Sequence, residues 1–170
     1  MSLTPRPGTL HLIVAEAGDG LASALALLDT AGDGFRAAAR LLHTGEAPAG
    51  PAVTVSMPDE AALVRSLTPA LARARMGTRL YLAGGAGFVA RLTALALDHG
   101  FDHGMIETDV RSHGTRRVQC VHCKHVIEDV TGTVVTCDHC GLRLGVRDLY
   151  SRRLQAHLGV CILDRPAVAS

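Results

Sequence analysis

Thr78-Arg79-Leu80-Tyr81-Leu82-Ala83-Gly84-Gly85-Ala86-Gly87 is the stretch that decides the fold of the first two thirds of this 170-residue chain. An apolar run of strand length ends in a glycine turn. Phe88 to Asp98 then reads as a helix, and Gly100 follows it as a stop signal. The same grammar appears at the start. Thr9 to Ala15 reads as a buried strand, Gly18-Asp19-Gly20 as a turn and Leu21 to Leu28 as a helix. A poorly patterned stretch with Gly32, Gly34, Gly45 and Gly50 follows, and Phe35 to Leu42 suits a short helix. Ala52 to Ser56 reads as another strand. Ser56 to Asp59 matches the Ser-x-x-Asp capping pattern, with Pro58 and Glu60 fitting a first helical turn. Leu63, Val64, Leu67 and Leu71 lie at helical spacing. Pro69 is expected to end or kink that helix near Leu67, or with Thr68 to start a second piece running to about Arg75. Met105 to Thr108 is a last short strand. Strands alternating with helices imply crossover connections, hence a mostly parallel sheet covered on both faces. Residues 1–112 are therefore expected to form a Rossmann-like α/β lobe.

The rest of the chain has a different composition. His113 to Arg117 is polar and is taken as a linker, leaving 118–170 as a second module. All five cysteines lie in that module: Cys120, Cys123, Cys137, Cys140 and Cys161. The net charge of +1 conceals a lobe of −2 joined to a segment of +3. A near-neutral chain with 3% aromatic residues and no Trp lacks the bulk charge and stacking surfaces of a nucleic-acid binder. The opening MSLTPRPGTL has no basic region leading into an apolar one, and no apolar run reaches the roughly 18 residues of a membrane span. A cytoplasmic, membrane-free protein is expected, and in a reducing compartment paired cysteines favour metal over disulfide.

Cys120-x2-Cys123-x13-Cys137-x2-Cys140 is the strongest chemical signal. Two residues between thiols let a tight turn aim both sulfurs at one ion, and two such knuckles make a tetrahedral thiolate shell. Gly141 after Cys140 suits the tight backbone this needs. Val126, Ile127, Val130, Val134 and Val135 around Thr131-Gly132 read as two strands and a turn, a hairpin bringing the knuckles together. A module this small is near the size at which metal is needed for folding. Zinc is the expected ion. Iron in a rubredoxin-like site is the alternative, disfavoured because Lys124 rather than Gly follows Cys123 and because Tyr150 is the module's one aromatic ring. Four thiolates fill the coordination sphere, so hydrolysis at the metal is not expected. His122, His125 and His139 flank the knuckles as surface or supporting residues, and Cys161, in an apolar run, reads as structural. Leu142, Leu144 and Val146 alternate with Arg143, Gly145 and Arg147, a strand with one apolar and one basic side. Arg152 and Arg153 extend the basic character, which fits a solvated face, an acidic partner or nucleic acid.

The two glycine turns, Leu12 to Gly20 and Arg79 to Phe88, resemble those of the pyridine-nucleotide lobe of ferredoxin reductase-like flavoenzymes. In that family an early glycine turn and a late strand-Cys-Gly-Pro turn receive the dinucleotide. Here the late turn reads Ala83-Gly84-Gly85, without Cys or Pro, and the early one carries Glu16 and Asp19, which repel a pyrophosphate. The resemblance implies a degenerate nucleotide lobe serving assembly, with active NAD(P) binding as the alternative. Over the whole chain, VQCVHCKHVIEDV (118–130), CDHCGL (137–142), VRDLYSRRL (146–154) and Gly159-Val160-Cys161 resemble the small subunit of bacterial dimethylamine monooxygenase. That family implies an NADPH-dependent, multi-subunit oxygenase demethylating secondary amines, with haem, flavin and iron–sulfur centres in companion subunits. The chain is accordingly expected to be a non-catalytic accessory subunit, its partners the catalytic and reductase subunits, with no catalytic residues of its own. A single-iron electron carrier and a zinc-ribbon nucleic-acid adaptor are the competing readings.

Overall fold

The structure, a computed structural model, describes residues 2–45, 53–111, 115–151 and 154–162. The chain divides into two compact units, 1–112 and 113–170. The first runs β1 (Leu10–Ala15), α1 (Asp19–Thr30), α2 (Asp33–Ala37), β2 (Ala39–Thr44), β3 (Val53–Met57), α3 (Glu60–Ala72), β4 (Thr78–Gly84), α4 (Ala86–Asp98) and β5 (Ile106–Val110). The five strands form one sheet in the order β3-β2-β1-β4-β5, and every pairing is parallel. This is a Rossmann-like α/β lobe.

Strand alternation explains the two-sided core. Ile13 and Ala15 of β1 and Tyr81 and Ala83 of β4 face α1, packing on Leu21, Ala24, Leu27 and Leu28. Leu12 and Val14, with Leu80 and Leu82, point the opposite way, onto Leu63, Leu67 and Leu71 of α3 and Phe88, Val89 and Leu92 of α4. Both faces of the central strands are dry, so they read as continuous apolar runs rather than as alternating ones.

Three local expectations need correction. The Phe35 to Leu42 helix is a single turn, α2, followed by strand β2. Its alanine, arginine and leucine favour helix locally, but Ala39 to His43 pair in parallel with His11 to Ala15, and Ala39 and Leu41 are fully buried. Tertiary pairing overrides propensity there. Second, β3 continues through Met57, so Ser56 is not a helix cap. Asp59 is the N-cap, accepting from the Ala62 N–H at 2.7 Å, while the Ser56 hydroxyl donates to the Gly45 carbonyl. Third, α3 passes through Pro69 without interruption. Pro69 is on the exposed side, and buried Leu63, Leu67 and Leu71 fasten the helix on both sides of it.

The second unit is a sheet of β6 (Arg116–Cys120), β7 (Val126–Val130), β8 (Val134–Thr136), β9 (Arg143–Ser151) and β10 (Ala156–Cys161) in the order β7-β6-β10-β9-β8. Arg116 and Arg117, assigned above to the linker, belong to β6, and His113 and Gly114 lie outside the described residues. The expected hairpin across Thr131-Gly132 does not form. Its two strands, β7 and β8, occupy opposite edges of the sheet. The hairpins are instead β6–β7 and β8–β9, both antiparallel, with β10 joining them. Arg152 and Arg153 lie outside the described residues. No helix among the described residues is long and apolar enough to cross a membrane.

One buried polar group, His11, is expected to give the lobe a pH-dependent stability. His11 is 3% exposed, stacked on Phe35 at 3.9 Å between centroids, with the Tyr81 hydroxyl 3.4 Å from its Nδ1. Burial, then the nearby Arg79 charge, hold its pKa below the ordinary 6.5. The unfolded chain therefore binds the proton more readily. Stability from neutral His11 is full above pH 6.5 and is lost as pH falls through the lowered folded value. Thermal melts from pH 8 to pH 5 are expected to show wild type losing stability relative to His11→Gln, by at most about 1.4 kcal/mol per pH unit. Parallel profiles for the two proteins would contradict this.

Candidate metal centre

The two hairpins exist to present their turns. Cys120 ends β6 and Cys123 lies in the turn before β7, while Cys137 and Cys140 occupy the turn between β8 and β9. The turns have the same backbone hydrogen bonds. In the first, Lys124 N–H donates to the Cys120 carbonyl at 2.9 Å and Cys120 N–H to the His125 carbonyl at 2.9 Å. In the second, Gly141 N–H donates to the Cys137 carbonyl at 2.8 Å and Cys137 N–H to the Leu142 carbonyl at 2.9 Å. The backbone N–H groups of His125 and Leu142 point at the sulfurs of Cys123 and Cys140, respectively.

Both turns place a left-handed residue after their second cysteine: Gly141 at φ 73° and Lys124 at φ 65°. Glycine takes this conformation without strain, and lysine takes it against the steric preference of an L-residue. The Lys124 ammonium donates to the Val121 carbonyl at 2.8 Å and closes the turn from outside. Lys124 therefore does not separate a zinc knuckle from an iron one, since it adopts the backbone that glycine would. It is also a residue whose structural role the sequence reading missed. The aligned spacing of the two knuckles, with Lys124 opposite Gly141, was the available signal.

The ligand atoms of Cys120, Cys123, Cys137 and Cys140 all lie within 4.8 Å of one another. Cys120 Sγ is 3.8 Å from Cys140 Sγ, and Cys123 Sγ is 3.7 Å from Cys137 Sγ. Four sulfurs about 2.3 Å from a central ion define a tetrahedron with edges of about 3.8 Å. The cage thus has the dimensions of a tetrathiolate site, and among the described residues no imidazole or carboxylate belongs to it. Cys120 and Cys137 are buried in the small core with Val118, Ile127, Val130 and Leu144, while Cys123 and Cys140 are partly exposed. Proton sharing shows how crowded the sulfurs are. Burial alone would raise the Cys120 thiol, but N–H groups of Cys123 and His122 and neighbouring sulfurs bring it down to about 7. Cys140 receives the lowering Leu142 N–H, yet burial and the other three sulfurs carry it up to about 12. Four thiolates this close need a cation to be ionised together.

The remaining candidates fall outside the cage. His125 and His139 stack at 5.3 Å between centroids, His125 Nε2 lies 3.0 Å from Asp138 Oδ1, and His122 is exposed. Cys161 pairs with Leu144 at the end of β10. Leu144 is buried and Arg143 and Arg147 are exposed, as the alternation implies, until the β9–β10 register breaks beyond Arg147. In the α/β lobe, sequence reading missed a buried carboxylate. Asp109 accepts from Ser23 Oγ at 2.5 Å and from Arg111 Nε at 2.8 Å. A guanidinium and a hydroxyl hold it, which is an arrangement for packing α1 against β5. Two adjoining grooves of about 430 and 420 Å³ share Arg79 and Gly104, but Arg79 is committed to the Pro7 and Gly104 carbonyls.

An α/β lobe followed by a two-knuckle, four-cysteine β module defines the architecture. The chain belongs to the dimethylamine monooxygenase subunit DmmA-like family: the N-terminal domain of that family matches residues 1–106 and the C-terminal domain residues 117–160. The chain is similar to the heme-dependent oxidative N-demethylase delta subunit of Ectopseudomonas mendocina (strain ymp), 41% identical over 110 residues. That match covers 64% of this chain and 63% of the relative. Among solved structures it is similar to the ferredoxin reductase of carbazole 1,9a-dioxygenase in its FAD apo form, at 23% identity and TM-score 0.47, covering 62% of this chain and 34% of that one. It is also similar to phthalate dioxygenase reductase, at 12% identity and TM-score 0.46, covering 94% and 67%.

Replacing Lys124 by Gly is expected to relieve the left-handed strain and leave the module equally stable or more stable by up to about 1 kcal/mol, measured by denaturation of the metal-loaded chain. A loss of several kcal/mol would show that the lysine side chain, not the turn geometry, holds the knuckle.

Proposed function

We propose that this chain is an accessory subunit of a multi-subunit oxidative N-demethylase acting on dimethylamine-like secondary amines. The match of both family domains along the chain carries the reading. In this proposal the catalytic and reductase partners contain the haem, flavin and iron–sulfur centres, draw electrons from NADPH and work in the cytoplasm. The present chain contributes surfaces rather than reacting groups. Cys120, Cys123, Cys137 and Cys140 hold one zinc ion. The ion supplies a rigid, redox-silent junction between the two hairpins, and a closed thiolate shell offers no position for a substrate. The buried members of that core number six, two of them cysteines, so metal binding and folding of the module are one event.

A single-iron electron carrier is the second reading. The partly exposed sulfurs of Cys123 and Cys140 favour it, because an accessible ligand edge suits electron transfer. The aliphatic core and the half-exposed Tyr150 favour zinc.

Co-expression with the partner subunits tests the proposal. Wild type should co-purify with them, colourless by itself and carrying one zinc. Cys137→Ala should lose the metal, unfold the second unit and fall out of the complex, while the α/β lobe keeps its own thermal transition. Structural zinc of this kind contributes roughly 10–16 kcal/mol, so partial loss is not expected. A fully active, stable oxygenase assembled without this chain would refute the accessory role.

A further inference from the structure

Glu16 leaves the end of β1 and crosses to the turn that opens α4. Its Oε2 accepts a hydrogen bond from the Gly85 N–H at 2.6 Å, and Gly85 is the N-cap residue of α4. The Glu16 N–H donates to the Ala83 carbonyl at 2.9 Å, so main chain and side chain both fasten residue 16 to the exit of β4. The approach is close. A Cβ on Gly84 would stand 2.7 Å from the Glu16 Cβ, and one on Gly85 would stand 3.2 Å from Oε2. No side chain at Gly85 itself caps α4.

A helix start presents unbonded N–H groups and the positive end of the helix dipole, which together attract anions. The location matters as well. β1 and β4 are adjacent, α1 covers one face of the sheet and α4 the other, so their C-terminal ends flank a topological switch point. Open α/β sheets take their ligands at such points. In this chain the anion is already there and is covalently part of β1.

We infer that Glu16 is a built-in occupant of the phosphate position at the β1–β4 switch point, and that the lobe therefore excludes pyridine dinucleotides. An incoming phosphate oxygen must displace the carboxylate from the Gly85 N–H and then remain beside the charge it displaced. Asp19, exposed in the first turn of α1, adds a second negative charge at the same end of the sheet. The inference deepens the accessory-subunit reading and rests on it in one respect: it assigns nicotinamide chemistry of such a complex to another chain.

The test titrates the full, metal-loaded chain with NADPH and separately with inorganic pyrophosphate, following the Gly85 and Ala86 amide resonances. Wild type should show no saturable shift up to about 10 mM of either. Glu16→Ala should bind pyrophosphate at Gly85 at least about tenfold more tightly than wild type. Glu16→Gln keeps an acceptor oxygen without the charge; it should gain affinity by a smaller factor and carries the test should the alanine variant not fold. Saturable NADPH binding at Gly85 in wild type, or variants no tighter than wild type, would overturn the inference. Zinc content and partner co-purification, measured on the same samples, report on the accessory reading independently of the Gly85 titration.

Discussion

The second unit depends on one constraint: four sulfurs must meet within the edge lengths of a single tetrahedron. Every other feature of that unit serves it. β6–β7 and β8–β9 are short hairpins whose turns carry two cysteines each, and β10 lies between β6 and β9 so that the turns converge. The apolar core beneath is small, and two of its six buried members are Cys120 and Cys137. A core this small offsets little of the conformational entropy of ordering the segment, and an ion held by the four sulfurs would supply the difference.

The α/β lobe is built on the opposite principle. Its stability comes from a central sheet buried on both faces, with aliphatic layers from α1 on one side and from α3 and α4 on the other. Two of its polar groups have internal partners: Asp109 is held by Ser23 and Arg111, and the start of α4 by Glu16. The Glu16 carboxylate lies at the switch point between β1 and β4, on the Gly85 N–H.

Much of this was legible in the sequence, because the relevant signals are local. The Cys-x2-Cys spacing specifies a knuckle by covalent geometry, and the alternation of apolar runs with glycine-stopped helices specifies a parallel sheet. What was not legible depends on contacts between distant residues. β2 has helix-forming residues, and only pairing with β1 makes Ala39 to His43 a strand. Pro69 reads as a helix terminus until its exposure and the buried leucines around it are known. The apolar stretches on either side of Thr131-Gly132 look like a hairpin, yet they go to opposite edges, and the Cys120–Cys123 turn then faces the Cys137–Cys140 turn. The negative charge of Glu16 was visible as an obstacle to phosphate; its bond to Gly85, 69 residues away, was not.

X-ray absorption at the metal edge of the full chain, purified without added metal, would read the ion and its ligands at the four-cysteine cluster. The expected result is a zinc edge and a first shell of four sulfurs at about 2.3 Å, with no nitrogen or oxygen neighbour. A shell containing imidazole or water, or a folded second unit carrying no metal, would contradict it.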